Sequence, residues 1–284
     1  MPRADPGYRL ADQDVEFLNS DDTRGVRLEL EYLKAESLLR SHGVRETILV
    51  MGSTRATRRN PYYRVARAFG RLVARASDAA VMTGGGPGIM EAANRGALEA
   101  GGVSIGLNID LPREQAPNGF LTPGLSLRFR YFALRKLHFL LRARAMVAFP
   151  GGFGTFDELF ETLTLVQCRK IAPIPIVLVG EAYWTRAVRF DVLAAEGMID
   201  RRDLRLFRYA DTAPAIWDAI RGAPLRPAAR AAAPGWRRPA RRAGGGASPP
   251  AASRRSARGR RRSPPRAATR GAAAGSRRSP RRSG

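Results

Sequence analysis

Residues 79–97 read AAVMTGGGPGIMEAANRGA, and this stretch decides the fold class. Its first five residues, 79–83, form a short apolar run, which is typical of a buried β-strand. The glycine-rich residues 84–88 follow at once and lead into a helix-forming stretch at 89–100. A strand that passes through a glycine-rich turn into a helix is the start of a β–α–β unit, so the segment predicts an α/β architecture.

The same alternation extends across most of the chain. Further strands are predicted at 47–52, 103–109, 146–149, 174–179 and 206–210. Further helices are predicted from Pro61 to about residue 73 and at 132–145, 156–169, 183–196 and 214–220. Continuous apolar strands that alternate with helices indicate a parallel sheet covered on both faces. We therefore predict a Rossmann-like, doubly wound parallel sheet flanked by helices.

Composition divides the chain into three regions. Residues 1–44 are predicted to be an N-terminal helical extension that packs against the core or a partner subunit, and residues 45–221 the Rossmann-like domain. Residues 222–284 contain 18 arginines and no acidic residue, and they supply +18 of the formal net charge of +24. Such a segment cannot bury enough apolar area to offset a backbone entropy of roughly 1–2 kcal/mol per residue, so we predict a disordered tail. Two interpretations of the tail stay open, namely non-specific contact with nucleic acid and a sequence artefact.

Cysteine content and hydropathy bear on the location of the protein. Cys168 is the single cysteine, which excludes an intramolecular disulfide and favours a reducing compartment. Its apolar helical surroundings predict a buried, inert thiol. No apolar run approaches the roughly 20 residues of a membrane span, and the first 21 residues lack the pattern of a signal peptide. We expect a cytoplasmic protein without a membrane partner.

Two glycine-rich turns are expected at the carboxyl ends of strands, where open α/β sheets bind their ligands. They are residues 84–88 and residues 150–155, which read PGGFGT. Glycine lets the backbone approach a ligand closely, and the N-terminus of the following helix attracts phosphate. Thr155 could cap that helix or donate to a phosphate. The alternative is that these glycines only make tight turns between strands and helices.

The spacing of the glycines excludes two common nucleotide sites. Neither turn fits the G-x-G-x-x-G fingerprint of dinucleotide-binding proteins, and the chain has no G-x-x-x-x-G-K-[ST] motif. An NAD-dependent oxidoreductase and a P-loop NTPase are therefore both disfavoured.

Three acidic residues follow the second turn: Asp157, Glu158 and Glu161. Compensation of the helix dipole explains Asp157. A further carboxylate beside a phosphate-binding turn fits a substrate whose reacting carbon becomes cationic, as in glycoside cleavage. Glu158 is therefore a candidate for the chemistry or for contact with a ribose.

Basic residues cluster just before and inside the predicted helix 132–145: Arg128, Arg130, Arg135 and Lys136. Such side chains could clamp a phosphate or stabilise charge on a leaving base, and the alternative is a solvated basic face. His42 and His138 are isolated and lack metal-ligand spacing, so we predict structural roles for both and no bound metal.

Residues 150–158, PGGFGTFDE, match the PGGxGTxxE signature of the LOG (Lonely Guy) family of cytokinin riboside 5′-monophosphate phosphoribohydrolases. Residues 132–136, FALRK, are similar to the M-x-x-R-K segment of that family, with Phe132 in place of Met. The stretches 83–97 and 106–118 resemble the longer bacterial branch, whose members are often mislabelled lysine decarboxylases. The resemblance covers roughly residues 45–220.

The resemblance implies a role for each matching position. Arg135 and Glu158 fall on the catalytic arginine and glutamate of the family. Its phosphate-binding turn corresponds to Gly151, Gly152, Gly154 and Thr155. The second nucleotide-contacting loop corresponds to Gly84, Gly85 and Gly86, and Lys136 is expected beside the substrate. The resemblance implies no cofactor and no metal. It implies a homodimer or a higher homo-oligomer.

The expected activity is hydrolysis of the N-glycosidic bond of a purine nucleoside 5′-monophosphate, which releases a free base and ribose 5-phosphate. The base stays open, since AMP fits as well as an N6-modified cytokinin riboside 5′-monophosphate. Two alternatives belong to other classes. One is a non-catalytic nucleotide sensor of the same fold, and the other is a protein that binds nucleic acid through its arginine-rich tail.

Overall fold

The computed structural model describes residues 6–111 and 116–222, and its centre is a seven-stranded parallel sheet. The strands are β1 (Thr47–Met51), β2 (Ala80–Thr83), β3 (Ser104–Ile109), β4 (Ser126–Phe129), β5 (Ala143–Ala148), β6 (Ile176–Leu178) and β7 (Phe207–Tyr209). Their order in the sheet is β4-β3-β2-β1-β5-β6-β7, and each neighbouring pair is parallel. The predicted doubly wound α/β fold is confirmed.

Helices cover both faces of this sheet. They are α1 (Val15–Asn19), α2 (Arg24–Ser41), α3 (Pro61–Ala76), α4 (Ile89–Glu99), α5 (Phe132–Leu141), α6 (Phe153–Gln167), α7 (Glu181–Ala187), α8 (Phe190–Ala195) and α9 (Ala213–Arg221). Within the described ranges, no helix has the length and the apolar character that a membrane crossing requires. The predicted tail lies, apart from Gly222, outside the described residues.

The alternation of side chains along β1 divides the core into two layers. Ile48 and Val50 pack in a cluster with residues of α3, α4 and α9, whereas Leu49 and Met51 pack in a cluster with residues of α2, α5, α6 and α7. All five residues of β1 are buried. A central strand that is apolar on both sides is expected where helices cover both faces of a parallel sheet.

The predicted helical region at 15–42 contains α1 and α2, with the short turn Asp21–Thr23 between them. Ala35 and Leu39 of α2 are buried in the same cluster as the strands, so this region packs on the core. Glu36 adds a two-pronged ion pair with Arg142, at 2.5 and 2.8 Å. The boundary between an extension at 1–44 and a domain at 45–221 stays a prediction.

Four sequence-based expectations about this fold are wrong. The strand β4 was not expected, although its residues alternate between exposed and buried as they do in a half-buried strand. The helix expected at 132–145 ends at Leu141, since pairing with β1 draws residues from Ala143 onward into β5. The helix expected at 183–196 is broken at Val188, whose backbone is extended. Cys168 is exposed at the C-terminal end of α6 instead of buried.

The order of the strands creates one crevice at the carboxyl edge of the sheet. The chain leaves β1 toward β2, β3 and β4 on one side, and later returns to place β5 against the other side of β1. The connections after β1 and β5 therefore diverge over opposite faces of the sheet. Such a switch point is where open α/β sheets bind ligands.

Helices α3 and α4 approach each other closely through two glycines. A Cβ atom at Gly96 would lie 1.9 Å from the carbonyl oxygen of Arg67, and one at Gly70 would lie 2.1 Å from that of Ala93. Both contacts are with backbone, which cannot move aside as a flexible side chain can. Because α4 follows the glycine-rich residues 84–88, this packing helps to position the turn.

We expect Gly96→Ala to lower the free energy of unfolding by up to about 2 kcal/mol. The added methyl group overpacks the contact at a cost of about 1–3 kcal/mol, more than the gain of roughly 1 kcal/mol that alanine gives in a helix. Gly25→Ala in α2 is the matched control, because a Cβ there meets nothing within 4 Å, and we expect unchanged or slightly higher stability. Urea denaturation of both variants measures the difference, and equal midpoints would contradict the packing argument.

Candidate functional site

A cleft of about 1150 Å³ opens at the carboxyl ends of β1, β2 and β5. Eight of the ten candidate site residues line it, and Asp157 lines it as well; the eight are Gly84, Gly86, Arg135, Gly151, Gly152, Gly154, Thr155 and Glu158. The two glycine-rich turns and the two candidate catalytic residues therefore meet in one place. Gly85 and Lys136 do not line this cleft.

The turn after β5 is held in place by contacts from two other elements. The amide of Ser53, after β1, donates to the carbonyl of Pro150 at 2.9 Å. The hydroxyl of Tyr183, in α7, donates to the carbonyl of Gly151 at 2.6 Å. In a trans peptide the C=O and the following N–H point in opposite directions, so this bond also fixes the direction of the Gly152 amide. Neither Ser53 nor Tyr183 was identified from the sequence.

The N-terminus of α6 presents free backbone amides to the cleft. Gly152 is the N-cap residue, and its carbonyl accepts from the amides of Thr155 at 2.9 Å and Phe156 at 3.1 Å. The amides of Phe153 and Gly154 begin the helix and have no carbonyl one turn earlier. Such amides, together with the helix dipole, favour an anion. The arrangement is suited to a phosphate group.

Thr155 lies inside the helix, so the expectation that it could cap the helix is wrong. Its side chain is buried, and a Cβ atom at Gly151 would lie 2.1 Å from its hydroxyl oxygen. Only glycine at position 151 allows this contact. The hydroxyl of Thr155 is thereby fixed behind the turn, and α6 begins three residues earlier than the sequence predicted.

The turn after β2 is tied down by polar side chains from behind. The side-chain amide of Asn118 donates to the carbonyls of Gly85 and Gly86, both at 3.1 Å. Gly85 has a φ of +72°, and a Cβ atom there would lie 2.5 Å from Oδ1 of Asn108. Gly85 is therefore required by the shape of the turn, whereas Gly84 and Gly86 face the cleft.

Glu158 lies one turn into α6 and is buried, with 4% of its surface exposed. The structure shows no hydrogen bond to its carboxylate from any residue that it describes. Burial raises the pKa of this carboxyl group to about 7. The positive charges of Arg135 and Lys136 oppose the shift, and the negative charges of Glu161 and Asp157 add to it. A carboxyl group with a pKa near neutrality can exchange protons at physiological pH.

Arg135 extends from α5 between the two glycine-rich turns. Its guanidinium lies over the rings of Phe139 and Phe132, at 5.1 and 5.7 Å from the ring centres. A Cβ atom at Gly84 would lie 3.2 Å from its Nη2 atom. Its Nε atom is buried and has no hydrogen-bond partner among the described residues. Burial lowers the pKa of Arg135, opposed by the charges of Glu158 and Asp157, and arginine stays protonated over the physiological range.

The other basic residues singled out from the sequence have protein partners. Lys136 forms ion pairs with Asp157 at 2.7 Å and with Glu161 at 3.3 Å. Arg128 lies in β4 and pairs with Asp110, and Nη2 of Arg130 donates to the side chain of Asn19 at 3.2 Å. None of these three side chains lines the cleft.

Comparison with known proteins finds one similar family and a similar curated protein. Residues 90–220 match the model of a family described as "Possible lysine decarboxylase". A probable cytokinin riboside 5′-monophosphate phosphoribohydrolase from Oryza sativa subsp. japonica is 31% identical over 146 residues, which are 50% of this chain and 58% of the relative. Both matches agree with the resemblance to the LOG family that residues 150–158 and 132–136 carry. The chain spans just over half the length of that curated relative.

Solved structures with a similar fold are more distant from this chain in sequence. A structural-genomics target is 24% identical, with a TM-score of 0.47, over 63% of this chain and 99% of the other. The molybdenum cofactor carrier protein from Chlamydomonas reinhardtii is 21% identical, with a TM-score of 0.41, over 62% of this chain and 97% of the other.

The buried carboxyl group of Glu158 gives the stability of the protein a defined pH dependence. The pKa of Glu158 is raised from 4.5 in the unfolded chain to about 7 in the folded protein, so folding favours the protonated form. This contribution is fully present below about pH 4.5 and is lost as the pH rises through 7. A shift of this size corresponds to about 3 kcal/mol.

We therefore expect Glu158→Gln to stabilise the protein at pH 8, by up to about 3 kcal/mol, and to have little effect at pH 5. Glutamine has nearly the same shape and cannot ionise. Chemical denaturation at the two pH values measures the difference, with Glu196→Gln, at an exposed position, as the control. If Glu158→Gln is less stable than the wild type at pH 8, the ionised carboxylate does not destabilise the folded protein.

Proposed function

We propose that this protein hydrolyses the N-glycosidic bond of a purine nucleoside 5′-monophosphate, either AMP or an N6-modified cytokinin riboside 5′-monophosphate, to a free base and ribose 5-phosphate. The observation that carries the proposal is the position of Glu158. This buried carboxyl group lies in the same cleft as the free amides at the start of α6, only four to five residues after them.

The phosphate would bind at the start of α6. The amides of Phe153 and Gly154, the backbone of Gly151 and Gly152, and the helix dipole provide an anion site that needs no metal ligand. Binding there places the sugar toward Glu158, because ribose and phosphate are adjacent in the substrate. The remote phosphate contacts would thus orient the bond that breaks.

Glu158 would act at the ribose in its carboxylate form. As the bond between C1′ and the base nitrogen breaks, its electron pair leaves with the base and positive charge develops on the ribose, which a nearby carboxylate stabilises. Glu158 would accept a proton from water as the water oxygen bonds to C1′. The departing base takes up a proton from solvent, and Glu158 afterwards releases the proton from water to solvent, so that the carboxylate is regenerated. A pKa of about 7 suits this exchange at neutral pH.

Arg135 would supply the positive charge of the site. Its guanidinium is buried among rings beside Gly84, and its Nε atom lacks a hydrogen-bond partner among the described residues. A buried donor without a partner is costly, and a substrate phosphate or base would remove that cost. The similarity to a probable cytokinin riboside 5′-monophosphate phosphoribohydrolase from rice supports a substrate of this nucleotide class.

We further propose that the protein is a homodimer or a higher homo-oligomer. Several large apolar side chains on α5 and α6 are exposed: Phe132, Leu137, Phe153 and Phe160. Phe153 is 95% exposed at the first position of α6, directly beside the cleft. Aromatic side chains are enriched in protein interfaces, and a second copy would remove these from water.

Incubation of the purified protein with AMP and with N6-modified AMP should release free base, detected by chromatography. We expect Glu158→Gln to bind the nucleotide with similar affinity in calorimetry and to lower kcat at least about a hundred-fold, because it cannot accept a proton. Glu196→Gln is the matched control and should keep wild-type turnover. Unchanged turnover in Glu158→Gln would remove this residue from the chemistry. Tight binding by the wild type without any release of base would favour the nucleotide-sensor alternative.

We expect Leu137→Glu to reduce self-association, because a buried interface does not tolerate an unpaired charge. Light scattering coupled to gel filtration measures the mass across a concentration series. Val192→Glu introduces the same charge at an exposed apolar position of α8 and should leave the mass unchanged. A wild-type protein that is monomeric at every concentration would refute the homo-oligomer.

A further inference from the structure

Resting on the proposed function, we propose that Lys136 is a positioning residue that keeps Glu158 in its reactive carboxylate form, and that it does not bind the substrate phosphate. Three carboxylates, Asp157, Glu158 and Glu161, lie in the first turns of α6. Lys136 reaches this group from α5 and neutralises the two that flank Glu158.

The geometry of Lys136 is that of an internal counter-ion. Its Nζ atom lies 2.7 Å from Oδ1 of Asp157 and 3.3 Å from Oε2 of Glu161, and its side chain is only 18% exposed. Oε2 of Glu161 is buried and makes no hydrogen bond among the described residues, so Lys136 is the charge that compensates it. Burial by itself lowers the pKa of Lys136, but Asp157, Glu161 and Glu158 outweigh this effect, so the pKa lies above its ordinary value. The side chain is therefore a permanent cation.

The place of Lys136 in the fold separates it from the phosphate site. It lines a shallow depression between α5 and α6, together with Phe153, Phe160 and Leu165, and it does not line the cleft. The charge of Lys136 can therefore influence the reaction through the ionisation of Glu158. A direct bond to the phosphate would require Nζ to turn into the cleft, away from Asp157 and Glu161.

Few charged groups act on Glu158. Arg135 and Lys136 come from α5, and Asp157 and Glu161 come from α6 itself. Across the cleft, the other ionisable side chains that line it are Arg55 after β1, Tyr62 of α3 and Tyr183 of α7. Two positive charges thus balance two negative ones close to the carboxylate. Loss of Lys136 leaves an excess of negative charge, which favours the protonated form of Glu158.

The test compares variants that change this balance in opposite directions. The dependence of kcat/KM on pH is measured from pH 5 to 9 with AMP and with N6-modified AMP. Lys136→Met should move the acid limb to higher pH by about one unit, and Asp157→Asn should move it to lower pH. Lys136→Arg keeps the charge and should restore the wild-type profile. In all three variants, KM on the alkaline plateau should stay within a few-fold of the wild-type value.

Two outcomes would overturn the proposal. If Lys136→Met raises KM at every pH and leaves the acid limb in place, Lys136 binds the phosphate. If Lys136→Met and Asp157→Asn shift the limb in the same direction, the charge of Lys136 does not control Glu158, and the effect on activity is a loss of structure.

A measurement without turnover separates this proposal from the function on which it rests. Carbon-13 NMR of the Glu158 carboxyl group follows its ionisation directly in the full-length wild type and in the same variants. Opposite shifts of this titration in Lys136→Met and Asp157→Asn support the electrostatic role even if no base is released, in which case the proposed reaction fails alone. An unmoved titration overturns the role of Lys136 whatever the activity.

Discussion

The burial of one carboxyl group near the start of α6 is the constraint on which the site depends. Taking Glu158 out of water disfavours its charged form, and the resulting pKa of about 7 means that folding works against the ion that the chemistry would use. The fold limits this cost with two cations on a single neighbouring helix, Arg135 and Lys136. The packing of α5 against α6 is therefore an electrostatic requirement as well as a hydrophobic one.

The N-terminal part of α6 has two tasks that require opposite signs of the local electrostatic potential. Its first amides attract an anion, whereas the carboxylates one turn later repel it. The competition is reduced by separating the two charges along the helix and by pairing Asp157 and Glu161 with Lys136, which does not line the cleft. The charged side chains that line the cleft are Glu158, Asp157 with its partner Lys136 behind it, Arg135 and Arg55. A substrate with a phosphate at one end and a developing cation in the middle matches this order of charges.

The sequence predicts the sheet and the position of the site because both depend on local signals. The apolar runs of β1 and β2 are continuous, and each glycine-rich turn follows its strand directly, so the edge at which they meet could be inferred. Long-range contacts determine what could not be predicted. Strand β4 exists because it pairs with β3, and no local pattern marks Tyr183 or Asn118 as the residues that hold the two turns. The start of α6 was misplaced because its N-cap is Gly152, which makes no side-chain cap.

The N-terminal helix α2 contributes to the site although it lies far from it in sequence. Helix α5 carries Arg135 and Lys136, and its far end is fixed to α2 by the two-pronged ion pair between Arg142 and Glu36. His138 lies on α5 between Lys136 and Arg142, and it is fully buried against the rings of Tyr32 and Phe129. Burial lowers the pKa of His138, so its side chain packs there as a neutral ring. These contacts fix α5 along its length before any ligand binds. Because a preorganised charge need not reorient during a reaction, a rigid α5 makes the guanidinium of Arg135 more effective than a mobile arginine at the same distance.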